Sequence, residues 1–405
     1  MSHPAETSAS PRHLRRNVPI LGLGSLLNDT ASEMAYWVLP FFLTTLGAGP
    51  ELLGLIEGCA ESTASLFKLL SGYLTDRSGR RKPLVLIGYV LANTVKPLLG
   101  FTQTWGQVLG LRILDRSGKG LRGAPRDVII SESVPASELG AAYGLRQAMD
   151  SVGAIIGPGL AFWIMLHSGH NVRLVFWLAA IPGALAIATV LFGVRETGHG
   201  KPAAQATPAA PIAPANPAAF GWGFYLLLAA VGLFGVANFS DMFLILRAQS
   251  MGVRPALIPL LGLVFNVVFA GLSFPLGRLS DRMRRKAIVG GGLLIFAAVH
   301  CGFALARQTE MAWILFALYG LYQATTQGAM SALTVDLVGR ENRGRAFGWV
   351  SSFTGISALL ASVLAGWLWQ QHGPAAPFML AAVLATIAAI LIFLLPVPRK
   401  QTAAH

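Results

Sequence analysis

Runs of roughly 20 apolar residues, the length of an α-helix that crosses a bilayer, follow one another along almost the whole chain with short polar breaks between them. They place spans at 18–46, 50–74, 83–101, 105–131, 140–167, 172–194, 220–247, 255–277, 287–306, 311–337, 345–371 and 376–396. Between the sixth and seventh lies "GHGKPAAQATPAAPIAPANPAAF", an Ala/Pro-rich stretch that forms no packed core and reads as a linker. The pattern predicts an all-α polytopic membrane protein with 12 transmembrane helices in two six-helix bundles. Its parts are a tail over 1–17, bundles over 18–194 and 220–396, a linker over 195–219, and a tail over 397–405.

Several spans carry polar residues at helical intervals. In the fourth, "LRILDRSGKGLRGAPRD" puts Arg112, Asp115, Arg116, Lys119, Arg122, Arg126 and Asp127 within an arc of about 140° at 100° per residue. A charge facing lipid near the bilayer centre costs about 3 kcal/mol, so this stripe is expected to face protein or a wet cavity. In the first span Asp29, Ser32, Glu33 and Tyr36 share a face, and in the second Glu57, Glu61 and Lys68 do so. The third adds Asn93 and Lys96, and the fifth adds Arg146 and Asp150. The second half is sparser, with Asn238 and Asp241, Asn266, and then Gln323 and Gln327. Ionisable groups thus gather in the first half, while the second offers mostly neutral polar ones.

Composition agrees with this reading. Charged residues make up 12% of the 405, against about 25% in soluble domains, and mean hydropathy is +0.59. The formal net charge of +13 lies in short loops instead of along one soluble face, which argues against nucleic acid as a partner. Lys and Arg fall mainly in loops on the side of the N-terminus: Arg12, Arg15, Arg16, Arg77, Arg80, Arg81, Lys82, Arg282, Arg284, Arg285, Lys286, Arg340, Arg343, Arg345, Arg399 and Lys400. The bias of basic loops toward the cytoplasm predicts that both termini are cytoplasmic. Met1–Asn17 carries no cleavage site after a short apolar core, so the first span is expected to stay attached. Cys59 and Cys301 sit inside apolar runs, with no disulfide or thiolate-metal spacing, and no cofactor is implied.

The halves repeat. "GYLTDRSGRRK" from Gly72 returns as "GRLSDRMRRK" from Gly277, placing Asp281 205 residues after Asp76. Asp336 follows Glu132 by 204, and "GRAFG" follows "GAAYG" by the same interval. A duplicated six-helix unit is an architecture of secondary transporters.

These residues resemble the major facilitator superfamily over essentially the whole chain. Its loop signature, G-x-L-x-D-R-x-G-R-[KR], is matched by Gly72, Leu74, Asp76, Arg77, Gly79, Arg80 and Arg81. The resemblance implies a cytoplasmic gate of Asp76, Arg80, Arg81 and Glu132, copied in the second half by Asp281, Arg282, Asp336 and Arg340, that ties the bundles together in the outward-open state. Gly144, Gly153, Gly157 and Pro158 match the fifth-helix motif of the superfamily's exporters, although Ala161 and Phe162 replace its final glycine pair. Arg112 resembles the fourth-helix arginine of proton-coupled members. "SLLNDTASEM", "GLIEGCAES" and "DRSGKGLRGAPRD" are similar to a prokaryotic branch that includes nickel- and cobalt-resistance permeases, though the C-terminus "PRKQTAAH" has a single His where those often carry many.

The expected function is proton-coupled efflux of a small solute by alternating access, across the inner membrane of the cell and by a monomer. Asp29, Glu33, Glu57 and Glu61 are the candidate proton-binding groups. The cargo is a divalent metal ion or a toxic organic compound; which metal ligands would serve is left unassigned. The alternative is a proton symporter or facilitator for an organic anion, using Lys68, Lys96, Arg116 and Lys119. A drug exporter would draw on Tyr36, Trp37, Tyr319 and Tyr322. No nucleotide-binding loop, zinc spacing or nucleophile elbow points to an enzyme.

Overall fold

The computed structural model describes residues 15–78, 80–197, 220–338 and 343–396. Among them the chain forms fifteen α-helices and no strand. The first crossing is α1 (Asn17–Tyr36) continued by α2 (Leu39–Thr45), followed by α3 (Pro50–Ser78), α4 (Lys82–Leu99), α5 (Trp105–Ser133) and α6 (Leu139–His167). The sixth crossing is built of α7 (Val172–Leu178), α8 (Ala180–Ala188) and a π-helical turn, Thr189–Gly193. In the second half α9 (Trp222–Ala237) and α10 (Met242–Ser250) form one broken crossing. Then come α11 (Ile258–Arg282), α12 (Arg285–Leu305), α13 (Thr309–Asp336), α14 (Arg343–His372) and α15 (Ala376–Leu394).

Twelve crossings result, and seven are long and apolar enough to span a bilayer on those grounds alone. The rest, α1 with α2, α3, α4, α5 and α13, are more polar, and four of these five lie in the first half, where the ionisable stripes are. They can cross only because neighbouring helices cover their charges.

Turn chemistry explains how the chain reverses. Thr104 and Gln107 form a reciprocal capping box that opens α5, and the Asn171 side chain accepts from Leu174 N to open α7. At the end opposite the termini, Gly47, Gly169, Gly252 and Gly373 all adopt left-handed φ between +63° and +91°. That conformation is cheap for glycine and strained for other residues. Gly252 follows Gly47 by 205 residues and Gly373 follows Gly169 by 204, so the duplication seen in the loop motifs recurs in the backbone.

Glycines also set the helix spacing around α5. A Cβ on either Gly88 or Gly118 would stand 2.7 Å from the other's carbonyl oxygen, and one on Gly120 would stand 2.6 Å from the Ala64 carbonyl oxygen. α4 and α3 therefore close on two sides of α5 and enclose its charged stripe.

The two halves meet along α3 with α14 and along α6 with α11. A Cβ on Gly366 would lie 2.6 Å from the Pro50 carbonyl oxygen, while deeper in the membrane one on Gly355 would reach Ser65 Oγ at 3.4 Å. Asn266 Nδ2 of α11 donates to Ala154 O of α6 at 2.9 Å. Beyond Ser65, toward the end that carries the termini, Leu66, Lys68, Leu69 and Leu70 are all exposed and only Phe67 packs, on Gly120. The halves are closed at the far end; nearer the termini a Cβ on Gly72 of α3, Gly348 of α14, Gly144 of α6 or Gly271 of α11 would meet nothing within 4 Å, and there the halves part.

The first half extends to Thr197, a little past the predicted end of its last span. Asn17 holds both backbone groups of Arg195. The Glu196 carboxylate accepts from the backbone N–H groups of Arg81 and Lys82 at 3.1 Å each and so caps the start of α4. The linker reading of 198–219 lies outside the described residues.

Candidate functional site

The site starts from two breaks. The first crossing bends at Trp37–Val38, between α1 and α2, and the seventh unwinds over Asn238–Asp241, between α9 and α10. Asp241 lies 204 residues after Trp37, so the breaks occupy equivalent places in the repeat. The polar run "NFSD" interrupts apolar sequence at this point, and Ser240 N turns to Ser362 Oγ at 3.3 Å. Discontinuous helices at equivalent positions of the two halves mark substrate sites in transporters.

From the second break a chain of polar contacts runs into the first half. Ser240 Oγ donates to Glu57 Oε2 of α3 at 3.2 Å. Glu57 is fully buried, and its Oε1 accepts from Arg112 Nε at 2.9 Å and from an Arg112 terminal nitrogen at 2.5 Å. Arg112 also meets Asp115 at 3.3 Å, and Asp115 faces Lys96 of α4 at 3.7 Å. The buried Lys96 ammonium donates to Ala92 O at 2.7 Å and Asn93 Oδ1 at 3.1 Å. Asn93 in turn donates to Asn28 Oδ1 at 3.0 Å, and Asn28 to Asp29 Oδ1 at 3.0 Å. Four helices of one half are thus joined to the break in the other.

This arrangement sorts the candidate carboxylates. Glu57 is paired with Arg112, and Glu61 with Arg116 at 3.0 Å. Asp29 and Glu33 have neutral donors instead: Asn28 for the first, and Trp37 Nε1 at 2.8 Å for the second. Neither has an ion-pair partner within 4 Å among the described residues. In the second half Asp241 accepts from Tyr319 Oη at 2.6 Å, and Tyr36 lies near Asp241 and Glu57.

The charged stripe of α5 is accommodated as follows. Arg112, Arg116 and Arg122 are buried, with Arg122 stacked over the Tyr89 ring at 4.7 Å. Asp115, Arg126 and Asp127 are half-buried, with Arg126 donating to Ser25 Oγ at 3.0 Å. Lys119, midway along α5, is exposed, as is Lys68 of α3. Arg146 and Asp150 of α6 pair with each other at 3.1 Å. Asn238 is half-buried at the break, Gln323 is half-buried and Gln327 exposed on α13, and Asn266 bridges the halves instead of lining open space.

The exporter-type glycines of α6 meet α1. A Cβ on Gly157 would lie 2.7 Å from Glu33 Cβ, and one on Gly153 would lie 3.2 Å from Asp29 Cβ. Pro158 sits buried within α6, while Gly144 faces open space. The motif therefore seats the two unpaired carboxylates of α1.

The gate groups pair within their own halves. Arg81 meets Glu132 at 2.8 Å, and Thr197 Oγ1 donates to Glu132 at 2.5 Å. Arg285 meets Asp336 at 2.6 Å. Gly72 is half-buried near the end of α3, and Arg80 is exposed at the turn into α4. Gly79 and Arg340 lie outside the described residues, as do the side chains of Asp76, Arg77, Asp281 and Arg282. In the conformation seen, with the termini end parted, no described ion pair joins the halves.

Sequence reasoning did not single out Ser240, Asn28, Glu196 or Thr197. Only the polar interruption "NFSD" offered a signal for the first. His300, the neighbour of Cys301, is enclosed by Phe239, Phe296, Tyr319 and Phe378, and its Nδ1 is bonded to Phe296 O at 3.0 Å. That is packing in an aromatic core.

Comparison with known proteins agrees with this architecture. The family model described as Major Facilitator Superfamily matches residues 21–253 and 238–405. The chain is 33% identical over 402 residues to an uncharacterized MFS-type transporter of Methanocaldococcus jannaschii, covering 96% of each. It is 24% identical over 398 residues to the multidrug resistance protein MdtG of Dickeya zeae, covering 92% of each. Among solved structures, a bacterial homolog of the human lysosomal transporter Spinster superposes with a TM-score of 0.75 at 16% identity, covering 95% of this chain and 97% of that one. A D-xylose-proton symporter superposes at 0.71 and 18% identity, covering 96% and 97%. The chain is a transporter and not an enzyme, and it belongs to the major facilitator superfamily.

Proposed function

We propose that this transporter exports a small toxic organic compound in exchange for protons, by alternating access around the two helix breaks. The observation that carries the reading is the sorting of its membrane-embedded carboxylates. Glu57 and Glu61 are neutralised by arginines, which leaves Asp29 and Glu33 on α1, and Asp241 at the second break, with neutral donors only. A carboxylate without a fixed cation is free to exchange a proton for a cargo's charge, and such intramembrane groups mark functional sites. Glu57 with Arg112 then serves as the rigid floor of the site.

Direction rests on three supports. The described basic groups Arg15, Arg16, Arg80, Arg81, Lys82, Arg284, Arg285 and Lys286 gather at the termini end, which by the positive-inside bias is cytoplasmic. The opening at that end is the one through which an exporter loads. The α6 glycines, shared with exporters, hold α1 where the free carboxylates lie, and one relative bears the name multidrug resistance protein. In a bacterial cell the inner membrane is the site, and a single chain holds a complete passage, so a monomer suffices.

An organic cargo suits the partly open ring of Tyr36 beside the first break, while Trp37, Tyr319 and Tyr322 are buried in the aromatic core behind it. A divalent ion suits the site less, because among the described residues no three His, Cys, Asp or Glu side chains gather as a ligand set. That weighs equally against nickel and cobalt. The reading is tested with purified protein in vesicles under a proton gradient, following solute-dependent proton flux across a panel of toxic organics and metal salts. Asp29→Asn and Glu33→Gln should each lower that flux at least tenfold while the protein keeps its thermal transition. Wild-type flux in the double variant would overturn the assignment. The alternative, proton-driven uptake of an organic anion, draws on Lys68 and Lys119, which stand exposed without an ion-pair partner among the described residues. It predicts accumulation with the gradient instead of extrusion against it.

A further inference from the structure

A second site lies at the termini end, away from the transport pathway, where α1 begins beside the π-helical turn Thr189–Gly193 that closes the sixth crossing. Between them is a cavity of about 100 Å³ lined by Arg16, Ile20, Phe192, Gly193 and Arg195. π-helical turns are rare, and when present are frequently found at functional sites.

The two arginines are held together by a single buried amide. Asn17 is fully buried; its Nδ2 donates to Arg195 O at 3.0 Å, and its Oδ1 accepts from Arg195 N at 2.9 Å. The same side chain donates to Ser133 Oγ of α5 at 3.1 Å, which anchors the pair to the bundle. Arg16, next to Asn17 in sequence, and Arg195 are thereby fixed as neighbours. Both side chains are exposed, and among the described residues neither guanidinium has a hydrogen-bond or ion-pair partner. The adjacent carboxylate, Glu196, is occupied in capping α4. A third cation stands close by, since Lys82 Nζ donates to Leu191 O at 2.8 Å. On the outer side Phe192 is 83% exposed, at the level where the apolar crossing ends.

We propose that this cavity binds the phosphate headgroup of an anionic phospholipid. Guanidinium groups present paired donors that match phosphate oxygens, and they do so better than ammonium groups. Basic pockets between crossings at the cytoplasmic face take such headgroups. Phe192 and Ile20 supply the apolar side that a lipid's glycerol and acyl chains would cover, which a free phosphate would leave bare.

The test is lipid binding to the purified full-length chain in neutral detergent, read by native mass spectrometry and by thermal stability. The added probes are phosphatidylglycerol, phosphatidylcholine with the same acyl chains, and inorganic phosphate. Phosphatidylglycerol should bind and stabilise, and phosphatidylcholine should do neither. Arg16→Gln and Arg195→Gln should each weaken phosphatidylglycerol binding about fivefold. Arg284→Gln, an exposed cation at the same end of the other half, should leave it unchanged. Wild-type binding by the Arg16→Gln/Arg195→Gln double variant overturns the proposal. So does an equal loss in Arg284→Gln, or stabilisation by inorganic phosphate that matches phosphatidylglycerol.

Discussion

At the residue scale the central fact is a carboxylate with no exposed surface, Glu57, held by Arg112 from the next-but-one helix and by Ser240 from the other half. Removing one partner of a buried pair leaves a charge without compensation, typically at about 3–5 kcal/mol. Glu57→Gln should therefore destabilise the protein by about 3 kcal/mol, the low end, because Arg112 retains Asp115. Glu57→Gln combined with Arg112→Gln should cost less than the sum of the single changes, as thermal unfolding in detergent would reveal. Strict additivity would mean that the two groups do not act as a pair. The charged stripe of α5 was legible in the sequence because it repeats at helical intervals and lipid is too costly a destination for it. Its pairings were not legible. Which helix lies beside which is decided by Gly88, Gly118 and Gly120, and a glycine in a one-dimensional sequence does not say what approaches it.

At the scale of elements, the same motif contains glycines with opposite demands. A side chain at Gly157 would meet Glu33 Cβ and the Thr30 carbonyl oxygen, each at 2.7 Å, while one at Gly144 meets nothing within 4 Å. Gly157→Val should push α1 away from α6, costing about 1–3 kcal/mol as overpacking does and abolishing transport. Gly144→Ala should be tolerated in both respects. The measurement is thermal stability alongside vesicle transport, and equal effects at the two positions would refute the packing role. The crossings themselves could be read from apolar runs because a bilayer imposes their length. The break at Asn238–Asp241 was read as continuous helix, since 220–247 is apolar enough to pass as one span, and the polar interruption is only a few residues long.

At the scale of the molecule, alternating access requires that the contacts now closing the far end come apart. The face of α3 against α14 is the place to block this. A Cβ at residue 355 would stand 3.5 Å from Ser65 Cβ, within the range a disulfide bridges. With Cys59 and Cys301 replaced by Ser, the pair Ser65→Cys/Gly355→Cys should form a bond on oxidation that stops transport, and reduction should restore it. Undiminished transport by the cross-linked protein would show that this interface stays closed throughout the cycle. The repeat, legible from the recurring loop motifs, foresaw two similar halves. It did not foresee their unequal chemistry at the centre, where one half brings a web of charges and the other a hydroxyl and a few rings.

That inequality bears on the energetics of switching. Among the described residues every ion pair is internal to one half, and the side-chain hydrogen bonds seen between halves are those of Asn266 to the Ala154 carbonyl oxygen and of the Ser240 hydroxyl to Glu57. For the described residues, rocking the halves apart therefore separates no ion pair in a medium of low polarity, where doing so would be prohibitive. A single neutral-to-ionised hydrogen bond is worth about 1.5–3 kcal/mol, a tether that an arriving molecule can replace with one donor of its own. The first half can turn with its described ion pairs intact, letting go a hydroxyl at Glu57 and an amide at the Ala154 carbonyl.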